Sequence, residues 1–282
     1  MIYVLFLLTV TAVWGWTFVL VKDAVTQYPT LPFLQLRFVL AFLAMAVVVR
    51  RLPTRRELRV GAALGAVLAA GYLTQTAGLA ITSPGNAGLI TGLFVVLTPV
   101  LSRIFGAAIR WWTWLAALVS LAGLVLLTGG PAGMNAGDLL VLACAVLFAL
   151  HIVLLGRWSP GLSAATLAMI QLGTCALLFT AGGSLSLRPA GPAVWFAIVI
   201  TGVFASAFAY FIQTWAQAHI SATRTAVVLA TEPAWALVAA VVLAGQRFGP
   251  LEAAGAALVL LAIVGYELAS LKSESHGQPI TT

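Results

Sequence analysis

Acidic residues are almost missing from this sequence. Seven Asp and Glu stand against 14 Lys and Arg among 282 residues, and charged residues of either sign make up 7% of the chain. Soluble domains carry about a quarter charged residues, so a water-covered globule is excluded, and a solvated catalytic domain with it. Cysteine is scarce too. Cys144 and Cys175 both fall in apolar runs, which leaves no disulfide framework and no metal site of normal ligand spacing; both read as small core residues. The chain has no intramembrane Asp, no HExxH and no paired carboxylates on one helix, so nothing in it implies a metal or another cofactor. Long polar loops are lacking, and no connection is long enough to fold alone. After Met1-Ile2-Tyr3 there is no basic n-region, and Trp14-Gly15-Trp16 occupies the place of a small-residue cleavage site, so the first segment is expected to be retained.

What fills the chain is apolar surface: 62% of residues are hydrophobic. Apolar runs read against breakers predict ten membrane spans, 2–21, 32–49, 60–80, 86–107, 111–128, 138–156, 161–181, 192–213, 221–244 and 248–269. Tyr28-Pro29, Ser83-Pro84-Gly85, Gly129-Gly130-Pro131, Ser159-Pro160-Gly161 and Gly191-Pro192 end the helices between them. The net charge of +7 does not point to nucleic acid, because the basic residues sit at segment ends and never interleave with aromatics on a polar face. They set topology instead. Arg50, Arg51, Arg55, Arg56, Arg59, Arg103, Arg110, Arg157, Arg224 and Lys272 fall on one side, Lys22, Arg188 and Arg247 on the other. The richer side is read as cytoplasmic, with both termini on it and a short disordered tail, 272–282.

The two halves are alike. Gly71-Tyr72-Leu73-Thr74-Gln75-Thr76 matches Ala209-Tyr210-Phe211-Ile212-Gln213-Thr214 at an offset of 138, Leu115–Leu127 matches Gly255–Glu267 at 140, and Thr98-Pro99 corresponds to Glu232-Pro233 at 134. Five spans per half is an odd number, so the second half starts on the opposite side of the membrane. The expected fold is an all-α integral membrane protein of ten transmembrane helices, an inverted repeat of two five-helix halves, 1–130 and 131–271. Such halves rock about a site near the midplane in many secondary transporters.

Trp14-Gly15-Trp16-Thr17-Phe18, Leu34-Gln35-Leu36-Arg37-Phe38 and the run TSPGNAGLITGLFVVLTP from Thr82 to Pro99 resemble the EamA-type drug/metabolite transporters. The resemblance spans essentially all of 1–269, and size and pattern are most similar to the YddG-like amino-acid exporters. It implies a multi-pass protein of the bacterial inner membrane that exports amino acids and related metabolites through a central cavity between the halves. Its partners would be a small-molecule substrate and the lipid bilayer, with no cofactor. One departure is visible: the family often has Gly-Glu after the fourth and ninth helices, whereas this chain has Ala108-Ile109-Arg110 and Gly245-Gln246.

Glu232 stands near the middle of 221–244, beside Pro233. A carboxylate at the bilayer centre costs about 2.5 to 3.5 kcal/mol on insertion scales, so it faces a partner or a wet cavity. Two readings stay open: a coupling or substrate-facing group, or a structural one that deals with the backbone gap Pro233 creates. Pro99 and Pro233 are the expected helix breaks. Tyr72 and Gln75 share one side of the third span by i, i+3 spacing, as do Tyr210 and Gln213 on the eighth, and both pairs are expected to bind substrate. Thr76 and Thr214 read better as interhelical glue. His151, whose repeat mate is Thr17, is a further candidate for substrate or protons. Gln171 and Trp16 are expected wall residues. Arg37 is expected to snorkel or pair at the outer interface, and Trp111, Trp112, Trp114, Trp158 and Trp195 to form interfacial belts. Gly61/Gly65 and Gly88/Gly92 allow close packing without implying a dimer; a monomer suffices.

Alternatives remain at this point: export of cationic drugs or other small organic solutes with Glu232 as counter-ion, import instead of export, or an intramembrane enzyme using Glu232 and His151 as acid and base.

Overall fold

The computed structural model describes residues 2–106, 110–128, 134–182, 191–219, 225, 228, 229 and 231–275. Among these, every regular element is helical. The helices are α1 (Ile2–Gln27), α2 (Thr30–Val48), α3 (Arg55–Ile81), α4 (Pro84–Thr91), α5 (Phe94–Ser102), α6 (Trp111–Thr128), α7 (Ala136–Trp158), α8 (Ala164–Gly182) and α9 (Pro192–Val199). A π-helical segment (Ile200–Phe208) leads into α10 (Ala209–Gln217), followed by α11 (Glu232–Val242) and α12 (Pro250–Ser275). Seven helices or joined helices among the described residues are long and apolar enough to cross a membrane, and α6, α11 and α12 add shorter apolar stretches. Leucine, valine and phenylalanine side chains such as Leu118, Leu177, Phe204 and Leu261 are exposed on the outside, as a lipid-facing surface requires.

Caps fix two helix starts. Thr54 Oγ1 accepts from Glu57 N–H while Glu57 Oε2 accepts from Thr54 N–H, so α3 opens in a capping box that also receives the Arg51 guanidinium. Asn135 and Asp138 make the same box at α7, and the Thr82 hydroxyl donates to Asp138, tying the end of α3 to the start of α7.

Small residues set the packing. Gly61 and Gly65 lie against Ile170 and Gln171 of α8, and Gly15, Gly88 and Gly92 close on the first turns of α11. A Cβ added at Gly88 would stand 2.2 Å from Ala236 Cβ, and one at Gly92 2.1 Å from Pro233 Cγ. The glycine pairs thus serve contacts within the chain. α3 lies along α7 and α8, α2 along α8 and the π segment, α1 along α11 and α10, α6 along α12, and α4 between α11 and α7.

Three expectations are corrected here. The break expected at Pro99 falls instead at Gly92-Leu93, between α4 and α5, and Pro99 lies inside α5. The chain tightens before reaching the proline: Leu93, Val95 and Val96 N–H donate to the carbonyls of Ile90, Gly92 and Leu93, three residues back, each at 3.1 Å. The cause is tertiary, since Gly92 is where α4 meets Pro233. Pro233 does mark a helix start, in the first turn of α11, where a missing N–H costs nothing. The eighth span, read as one uniform helix, carries the π segment, in which a Cβ on Gly202 would stand 2.9 Å from Arg37 O on the neighbouring α2. The last helix continues to Ser275, so residues 272–275 of the expected tail are helical; 276–282, and most of 221–230, lie outside the described residues.

Candidate functional site

A polar cavity lies among the described residues, walled by α1, α2, α3, α5, α7, α10 and the start of α11. Water centres fit within about 50 Å³ of it, and at roughly 10–15 Å³ per water site that is room for a group of a few heavy atoms. Tyr72, Gln75, His151, Tyr210, Gln213 and Glu232 all line it, so the structure brings six of the expected residues together.

The two repeat-matched tyrosines meet at its centre. Tyr210 OH donates to Tyr72 OH at 3.0 Å, with ring centroids 6.0 Å apart. Phe38 and Phe148 pack edge-on against Tyr72, and His151 stands edge-on to Tyr210. Aromatic edges and faces in these positions hold the phenols rigidly. Gln75 Nε2 donates to Thr91 Oγ1 at 3.3 Å, linking α3 to the end of α4. Gln213 Nε2 donates to Gln217, but Gln213 Oε1 has no hydrogen-bond partner among the described residues although the side chain is 2% exposed.

Gln171 is placed differently from the expectation. It is fully buried behind the wall, where its Oε1 accepts from His151 Nε2 at 2.6 Å and its Nε2 donates to Leu167 O. It orients the histidine and does not face the cavity. Trp16 also lies outside, 38% exposed. Two positions along a helix is about 200° of rotation, so it is Trp14 that lines the cavity, its Nε1 donating to Ala205 O of the π segment at 2.8 Å. Thr17, the repeat mate of His151, lines the wall as well. Thr76 and Thr214 are buried, and neither hydroxyl has a partner among the described residues, so the expected interhelical hydrogen bonds are not made there. Trp111, Trp114, Trp158 and Trp195 are exposed.

Arg37 is the residue the sequence misplaced. It is 3% exposed and lines the cavity, with its Nε donating to Ser206 Oγ at 3.0 Å and its Cζ 4.5 Å from the Tyr72 ring centroid. A cation over a phenol face in a desolvated site gains quadrupole attraction, and the widened π turn at Ser206 gives the guanidinium a seat. The signal was depth: Arg37 lies seven positions into α2, about 10 Å at 1.5 Å per residue, and the polar Gln35 nearby is also buried.

Glu232, 5% exposed, begins α11 beside Thr231, whose hydroxyl meets that of Thr11 on α1 at 2.9 Å. No hydrogen bond to its carboxylate and no ion pair between it and Arg37 is found among the described residues, where Arg51 with Glu57 is the salt bridge. No cluster of three or more His, Cys, Asp or Glu suited to a metal occurs among them.

Comparison with known proteins agrees with a helical membrane protein. A chain from Archaeoglobus fulgidus described as an uncharacterized transporter is 29% identical over 260 residues, covering 90% of this chain and 82% of its own. A solved crystal structure superposes over 98% of both chains with TM-score 0.71 at 21% identity, a likeness of fold. The pattern of the EamA-like transporter family matches in two stretches, residues 1–129 and 135–267. Nearly the whole chain is thus accounted for by one family, and this multi-pass membrane protein belongs to the EamA-like transporters.

Proposed function

We propose that the protein exports amino acids and related small metabolites across a bacterial inner membrane by alternating access, using ten helices arranged as an inverted repeat with both termini cytoplasmic. The observation that carries this reading is the central polar cavity in which Tyr72 and Tyr210, from matching places in the two halves, hydrogen-bond each other. A site whose two walls belong to different halves can be exposed to either side by rocking one half against the other.

Further support for the duplication comes from which helices meet. α6 packs on α12, α2 on α8 and α4 on α11, the pairs a twofold relation puts on its axis, while α3 with α7 and α10 with α1 are exchanged by it. The two matched stretches of the family pattern divide the chain at the same place as the expected halves. Neutral amides and phenols suit a carrier, since they recognise amino and carboxyl groups and still release them.

The test is uptake of radiolabelled neutral amino acids into proteoliposomes, wild type beside Glu232→Gln. Saturable uptake is expected in the wild type. Absence of uptake for every amino acid would sink the amino-acid reading and turn the search to other small organic solutes. Resistance of overexpressing cells to toxic amino-acid analogues is expected for export; sensitisation would mean import. A cationic cargo is the second reading, favoured by the free Glu232 carboxylate; it requires Glu232→Gln to abolish cation binding while sparing zwitterions.

A further inference from the structure

Arg37 and Glu232, both lining the cavity, are ionisable, deeply buried and without an opposite charge among the described residues. Arg37 uses its Nε on Ser206 and lays its guanidinium over Tyr72, but neither Nη donates a hydrogen bond to any described residue. Glu232 accepts none and forms no ion pair among the described residues. Each is at least nine-tenths buried, and both line the same cavity. They come from different walls, Arg37 on α2, which packs on α8 and the π segment, and Glu232 at the head of α11, which packs on α1 and α4.

We propose that Arg37 and Glu232 are the two poles of a zwitterion site: the Arg37 fork receives the α-carboxylate of an amino acid and the Glu232 carboxylate receives its ammonium. This rests on the amino-acid reading above and makes it specific. A guanidinium presents paired N–H groups that match a carboxylate, and a carboxylate accepts from an ammonium. Gln213 Oε1, the unpartnered neutral acceptor in the same cavity, can take a further ammonium or amide N–H. Selectivity follows from what the wrong ligand leaves behind. A cation without a carboxylate would satisfy Glu232 and seal Arg37 away from water with no partner; a carboxylate without an ammonium would do the reverse to Glu232. Leaving a buried charge unpaired weighs more than the contact itself, so single-charge ligands are rejected on both sides. The small water-sized space beside the aromatic cluster suits the charged end of the ligand, not a bulky body.

The experiment uses the full chain purified in detergent. The standard amino acids are titrated by isothermal calorimetry, and the tightest is then compared with its own amide, which lacks the carboxylate, and its own 2-hydroxy acid, which lacks the ammonium. Each analogue is expected to bind at least about tenfold more weakly. Glu232→Gln is expected to weaken amino-acid binding at least about tenfold and to strengthen binding of the 2-hydroxy acid, which no longer seals an unpaired carboxylate away from water. Arg37→Gln is expected to lower it to that of the amide, and Arg37→Lys to retain part of it. The wild-type comparison decides even where an Arg37 variant fails to fold. Binding of amino acid, amide and hydroxy acid within about threefold of one another would overturn the zwitterion site and leave the amino-acid reading standing. Binding of no amino acid would overturn both.

Discussion

His151 owes its position to one residue behind it. Gln171 is fully buried, and its Oε1 is the acceptor for the His151 ring N–H. Replacing it by leucine keeps the volume and strands that donor, which costs about 1 to 3 kcal/mol; thermal unfolding of Gln171→Leu in detergent is expected to shift down accordingly. Gln171 and Arg37 also mark where residue-level reading stops. Tyr72, Gln75, Tyr210, Gln213, His151 and Glu232 were legible because polar groups in apolar spans need a polar surrounding, and the repeat supplied their mates. Sequence could not say whether a polar residue faces the cavity or props one that does, since both meet the same need. That is the difference between His151 and Gln171. Arg37 was read as snorkelling because a long side chain can usually reach the interface; its seat on Ser206 exists only through the π segment of a helix more than 160 positions away.

At the scale of elements, the crossing of α4 with α11 is the tightest joint described. Gly88→Ala must push its methyl into Ala236 Cβ, and overpacking of this kind costs about 1 to 3 kcal/mol. Gly156 on α7 offers the contrast: an added Cβ meets nothing within 4 Å, so Gly156→Ala is expected to be neutral or to stabilise by about 0.5 kcal/mol through helix propensity. Opposite shifts of the unfolding midpoint in the two variants check this. That the chain is built of long apolar helices, seven of them long enough to cross a membrane among the described residues, could be read from hydropathy, which needs only length and composition. The break at Gly92 and the π turn could not, because both answer a neighbour and leave no mark in local composition. A second joint ties α4 to the connection between α11 and α12: Gln246 Oε1 accepts from Gly85 N–H and its Nε2 donates to Ser83 Oγ, each at 3.0 Å. Gln246→Glu keeps both bonds, with Ser83 now donating, and puts negative charge at the N-terminus of α4. It is expected to be as stable as the wild type or more so, while Gln246→Ala loses about 1 kcal/mol; thermal melts of the two separate the cases.

For the molecule as a whole, the zwitterion site proposed above sets an expectation for its electrical behaviour. With Arg37 and Glu232 both charged, the site carries no net charge empty and none when a zwitterion sits in it. Moving one charge through the membrane field is worth about 2.3 kcal/mol per 100 mV, so a charged cycle would respond strongly to voltage and this one should not. Imposing a potassium diffusion potential with valinomycin on proteoliposomes is expected to leave the rate of amino-acid uptake unchanged; a several-fold response in either direction would contradict electroneutral turnover. The glycines that close on α11 carry a last consequence, and it is genetic. Every single-base change of a glycine codon that alters the residue adds a side chain, so at Gly88 and Gly92, where even a methyl group has no room, the gene has no mild missense allele to offer. A saturation screen for loss of transport should find these two codons emptied of tolerated substitutions, while outward-facing leucines such as Leu118 and Leu261 drift freely among apolar residues.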